Sequence, residues 1–89
     1  MPRVDIPAPY RGPTRGEAVI EVDGETVGAC LREVVDRYEG FGELVFGADG
    51  SVLRFVKLFV NGEQIERTAL DTPVSGDDRV LILAAIAGG

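Results

Sequence analysis

The sequence predicts an α+β domain, a mixed sheet of about five strands packed on one main helix, followed by a flexible C-terminal Gly-Gly tail. Three observations carry that expectation. Short runs alternating apolar and polar residues recur along the chain, separated by glycine- and proline-rich turns. One stretch, Val27 to Glu39, instead repeats its apolar positions every three or four residues. Finally, the aliphatic run Arg79–Leu83 feeds directly into Ala84-Ala85-Ile86-Ala87-Gly88-Gly89, which carries almost no side chains. Residues 1–83 are therefore read as one domain and residues 84–89 as a C-terminal tail.

Arg3-Val-Asp-Ile6 is a plausible first strand, and Glu17-Ala-Val-Ile-Glu-Val22 a second, closed by Asp23-Gly24. Between them Pro7–Gly16 holds three prolines and two glycines and reads as a long connection rather than an element. Thr26 is a natural N-cap for the helix, with Val27, Leu31, Val34, Val35 and Tyr38 on its apolar face and Gly40 as its stop. Phe41–Ser51 is irregular, with one helical turn around Glu43–Phe46. Val52–Val60 is the most β-prone stretch. Asn61-Gly62 then gives the strongest short hairpin signal, with Glu63–Glu66 returning. Ala69–Pro73 reads as a turn carrying one buried leucine, and Gly76-Asp77-Asp78 turns the chain into the last strand. The long separation of the first and last strands lets them pair in parallel at the middle of the sheet. That is the β-grasp arrangement of ubiquitin.

Eighty-nine residues allow one core. The net charge of −6 argues against nucleic acid as a partner, since that would select a basic surface. Histidine is absent and Cys30 is the only cysteine, so there is no disulfide framework and little material for a metal site or a nucleophile–base pair. Cys30 sits beside Val27, Leu31 and Val34 and is expected to be a buried structural thiol. No signal peptide or membrane span is visible, so the expectation is a cytoplasmic protein, monomeric when free, that performs no catalysis alone.

Alternation lets each strand face be read separately. Val56, Leu58 and Val60 share one face, and Phe55, Lys57 and Phe59 the other. Val80 and Ile82 oppose Arg79, Leu81 and Leu83 in the same way. The charged residues mark the outer side, since the helix can cover only one face of the sheet. Phe59, Leu81 and Leu83, fringed by Lys57 and Arg79, are thus expected to form an uncovered apolar patch that docks a partner. The competing expectation is that Phe41–Ser51 folds over it, or that the strand is simply buried on both faces.

With glycine at roughly 7% of residues, a Gly-Gly ending arises by chance on the order of once in 200 chains. The strand order, Val60-Asn61-Gly62-Glu63, Leu70-Asp71-Thr72-Pro73, Gly76-Asp77-Asp78 and Ala87-Gly88-Gly89 together resemble the MoaD/ThiS family of ubiquitin-fold sulfur carriers. The resemblance spans essentially the whole chain. Its members typically end in Pro-Pro-Val-Ala-Gly-Gly or a close relative, and this chain lacks those prolines. The long connection after Ile6-Pro7 and the run Arg54–Asn61 look most like the carrier of thiocarboxylate-dependent cysteine biosynthesis.

The resemblance implies a protein co-substrate rather than an enzyme. An E1-like enzyme would use ATP to adenylate the C-terminal carboxylate of Gly89, and sulfur would then convert it to a thiocarboxylate. A downstream synthase would take that sulfur. Gly88, Ala87 and Ile86 would form the part of the tail that enters partner active sites. Neither a bound cofactor nor a metal is implied. Two alternatives stay open: the small subunit of molybdopterin synthase, and a ubiquitin-like modifier conjugated through Gly89.

Overall fold

The computed structural model describes residues 1–84. Along the chain run β1 (Arg3–Asp5), a 3₁₀ turn (Ala8–Tyr10), β2 (Val19–Glu21), α1 (Val27–Arg37), α2 (Gly42–Val45), β3 (Val56–Val60), β4 (Glu63–Ile65) and β5 (Arg79–Ala84). The five strands form one sheet in the order β2-β1-β5-β3-β4. β1 and β5 are parallel, with Val4 opposite Val80, and the other neighbours are antiparallel. This is the β-grasp topology expected from the element order.

α1 starts where Thr26 caps it, its hydroxyl oxygen accepting a hydrogen bond from the Ala29 N–H at 3.1 Å. The other first-turn donors are met from outside the helix. The Val27 N–H bonds the Thr72 carbonyl (2.9 Å) and the Gly28 N–H bonds the Leu70 carbonyl (2.8 Å). That close approach suits a glycine, because a Cβ at Gly28 would lie 3.1 Å from both the Leu70 Cβ and its carbonyl oxygen, tighter than an ordinary contact. Val27, Cys30, Leu31 and Val34 are buried against the sheet, and Arg37 pairs with Glu33 one turn earlier. The helix ends at Arg37, two residues short of the expected Glu39, because Tyr38 is already extended. Asn61 and Gly62 adopt φ of 50° and 87°, the left-handed pair that a two-residue hairpin requires between Val60 and Glu63.

Two stretches differ from the sequence expectation. β3 begins at Val56 rather than Val52. The Leu53 N–H bonds the Val45 carbonyl (2.9 Å), Val52 bridges to Phe46, and the Val56 N–H closes a turn onto the Leu53 carbonyl (3.0 Å). Burying Val52 beside α2 outweighs its strand propensity, and Phe55 falls in the turn, 49% exposed, instead of on a strand face. Pro7–Gly16 is not a plain connection either. Its 3₁₀ turn buries Tyr10, and Thr14 is fully buried with its hydroxyl donating to the Glu17 carbonyl (2.9 Å). Arg11 Nε ties the segment down by donating to the Ile6 carbonyl at 2.8 Å.

Candidate functional site

The face of the sheet away from α1 is where the predicted docking residues come together. Along β5, Val80 and Ile82 are buried, whereas Arg79 and Leu83 are exposed and Leu81 is half-buried. Along β3, Val56 and Leu58 are buried, Lys57 is exposed and Phe59 half-buried. Register places Phe59 directly opposite Leu81 and Lys57 opposite Leu83. Such pairs on one face stand with Cβ atoms roughly 5 Å apart and act as a unit. Leu81 therefore lies at the centre, between Phe59 on β3 and Asp5 on β1. Phe41–Ser51 does not cover this face: Phe41 and Val45 are fully buried in the core that α1 shares, on the opposite side.

Arg79 is less free than the sequence implies. Its guanidinium grips Asp5 at two points, Nε to Oδ2 at 3.1 Å and Nη2 to Oδ1 at 2.8 Å. Its N–H also donates to the Asn61 side-chain oxygen at 2.9 Å. The same Asn61 amide donates to Asp78 Oδ1 (2.9 Å), tying the β3–β4 turn to the start of β5. Asp5 is the residue that sequence reasoning missed, because it stands 74 positions from its partner. The parallel β1–β5 register, Arg3 opposite Arg79, was the signal that could have found it.

Ala84, counted with the tail from the sequence, is the last residue of β5 and pairs with Val56. Ile86, Ala87, Gly88 and Gly89 lie outside the described residues.

Cys30 is fully buried, its Sγ 3.5 Å from the Gly24 carbonyl oxygen. Burial, reinforced by the negative charge of Glu33, pushes its thiol from 9.0 up to about 11. At neutral pH it is a protonated core group and a poor nucleophile. Because the folded value lies above the unfolded one, its contribution to stability is complete below about pH 9 and is lost as pH rises toward 11. Tyr10 adds to this, since burial raises its hydroxyl above 10.0 as well. Thermal unfolding should therefore fall through this alkaline window, and the early part of the decline should vanish in Cys30→Ala. Alkylation of the native thiol at neutral pH as fast as free cysteine would contradict the assignment.

Among the described residues, no group of three or more Cys, Asp or Glu is placed to hold a metal ion. No helix among them is long and apolar enough to cross a membrane.

The ThiS family model matches residues 4–89. The sulfur carrier protein CysO of Mycobacterium tuberculosis is 34% identical, over 97% of this chain and 96% of its own. Among solved structures, the CysO-containing complex BexX/CysO of Amycolatopsis orientalis aligns with a TM-score of 0.87 at 32% identity, covering 100% of both chains. The crystal structure of M. tuberculosis CysO gives 0.85 at 30% identity, covering 97% of this chain and 100% of its own.

Proposed function

Since this chain belongs to the ThiS family, we propose that it is a sulfur-carrier protein whose Gly89 carboxylate is activated by adenylation and converted to a thiocarboxylate. The observation that supports this most is the similarity to a sulfur carrier over 97% of the chain, with the family match running through Ala87-Gly88-Gly89.

The chemistry follows from the terminus. An α-carboxyl with a pKa near ~3.5 is ionised at neutral pH and can attack the α-phosphate of ATP held by an E1-like enzyme, releasing pyrophosphate. A sulfur nucleophile then displaces AMP from the acyl-adenylate and leaves the thiocarboxylate. ATP belongs to the partner's site; the carrier itself supplies a carboxylate and a shape. Glycine at 88 and 89 lets backbone approach both nucleotide and nucleophile without a Cβ in the way. The carrier would act as a co-substrate twice, first for the activating enzyme and then for a sulfur-accepting synthase.

The cysteine-forming route is favoured over molybdopterin synthesis because CysO proteins recur among both the sequence relatives and the solved structures. A thiocarboxylate is a controlled sulfur nucleophile for an aminoacrylate held on pyridoxal phosphate, and Ala84–Gly89 carries only one bulky side chain, Ile86. Conjugation to proteins through Gly89 is the less favoured use. The single lysine, Lys57, lies on the proposed docking face and leaves no other site for building chains of copies.

Intact mass after incubation with the activating enzyme, ATP and a sulfur donor tests the first step, as exchange of one oxygen for sulfur. Mixing the product with a cysteine synthase and its activated serine substrate tests the second, as a carrier-plus-amino-acid adduct. No adduct there, with dithiolene formation beside a molybdopterin synthase large subunit, would reassign the pathway.

The same reading makes Phe59, Leu81, Leu83, Lys57 and Arg79 the docking surface. Leu81→Glu should raise the KM for adenylation by about tenfold, since losing a central apolar anchor commonly costs more than ~1 kcal/mol. The new carboxylate would stand beside Asp5, a like-charge neighbour costing under about 1 kcal/mol, so the fold should survive. An unfolded variant by circular dichroism, or an unchanged KM, would remove Leu81 from the interface.

A further inference from the structure

Positive charge is scarce on this acidic chain, yet three of its nine basic residues line one recess. Arg54, Lys57 and Arg67 border a cavity of about 480 Å³ beside β3 and β4, with Glu66 as the sole acidic residue lining it among the described residues. Arg67 is anchored, its Nη1 donating to the Val52 carbonyl at 2.9 Å. Arg54 and Lys57 are exposed and form no ion pair among the described residues.

The location of the recess matters as much as its charge. Val56, which also lines it, is the strand partner of Ala84, the last residue of β5. Lys57 is the partner of Leu83 on the outer apolar face. The recess thus adjoins both the proposed docking face and the point from which residues 85–89 continue.

We propose that this recess receives an acidic protein segment, an Asp/Glu-bearing loop of the activating enzyme, and so sets the direction in which the tail is presented. An apolar face attracts without direction. A positive site at one edge of it adds orientation and faster encounter, because complementary charge steers association and fixes register. The chain carries a net charge of −6, so the recess is a local positive site on an acidic molecule. This inference rests on the sulfur-carrier reading.

The test uses the whole chain with the adenylating enzyme that charges it. Arg54→Glu should raise the KM for the carrier about tenfold at low ionic strength, leave kcat unchanged and leave thermal unfolding unchanged. Arg54→Lys should restore the wild-type value. The gap should close as salt rises, the screening length falling from about 10 Å at 0.1 M to about 3 Å at 1 M. A KM for the carrier that does not change, or changes equally at all salt concentrations, overturns the proposal. So does an effect confined to the KM for ATP, which would assign the recess to phosphate. Failure of the wild type to be charged at all would sink the sulfur-carrier reading together with this one. Normal wild-type charging with salt-insensitive Arg54→Glu kinetics would sink this one alone.

Discussion

Deleting Gly89 should lower charging by the adenylating enzyme at least ~10²-fold without changing the stability of the domain. The deletion leaves Gly88 as the new terminus, so the carboxylate and its glycine are chemically the same. Only the position changes, by one residue or about 3.3–3.6 Å of extended chain. Misplacing a reacting group by 1 Å can cost on the order of 10²-fold, so a shift of this size should leave almost no turnover. Docking should be preserved, because Phe59, Leu81 and Leu83 belong to β3 and β5 and not to the tail. The shortened chain should therefore compete with the full one for the enzyme while remaining uncharged by intact mass. Charging at the full rate would show that the reach of the tail is not what the enzyme reads.

That prediction draws on a part of the sequence that was legible for a simple reason. Strand alternation has a period of two, so once Lys57 and Arg79 mark the outer side, Phe59, Leu81 and Leu83 follow with them. α1 was legible too, since the spacing of Val27, Leu31 and Val34 and the Thr26 cap are local signals. What the sequence hid depends on residues far apart along the chain. The Asp5–Arg79 grip exists only because β1 and β5 lie side by side in register. Val52–Phe55 reads as strand by composition, but its neighbours are set by Val45 and Phe46, which draw it toward α2. Tyr10 and Thr14 fall in what the sequence reads as a long connection, because prolines and glycines surround them and no periodicity in such a stretch reports burial.

Phe41 shows the same gap between local pattern and packing, and it carries the largest expected effect on stability. From the sequence it opens an irregular, glycine-rich stretch. In the fold it is fully buried and heads the largest side chains that are so. It links the end of α1 to α2, its N–H bonding the Tyr38 carbonyl (3.2 Å) and its carbonyl receiving the Leu44 N–H (3.0 Å). Phe41→Ala keeps these backbone bonds and removes only the ring, leaving a cavity in the core shared by α1, α2 and the sheet. Such truncations cost about 3–5 kcal/mol, a large share of the roughly 5–15 kcal/mol that holds a domain together. For a chain of this length the melting temperature should fall on the order of 15–30 °C. A loss below about 1 kcal/mol would mean the ring is not a core element. Because Phe41 lies on the α1 side, the variant that is still folded at low temperature should dock with an unchanged KM for adenylation. Leu81→Glu should behave in the opposite way, weakening docking while sparing most of the stability, so the two variants together separate the core from the proposed docking face.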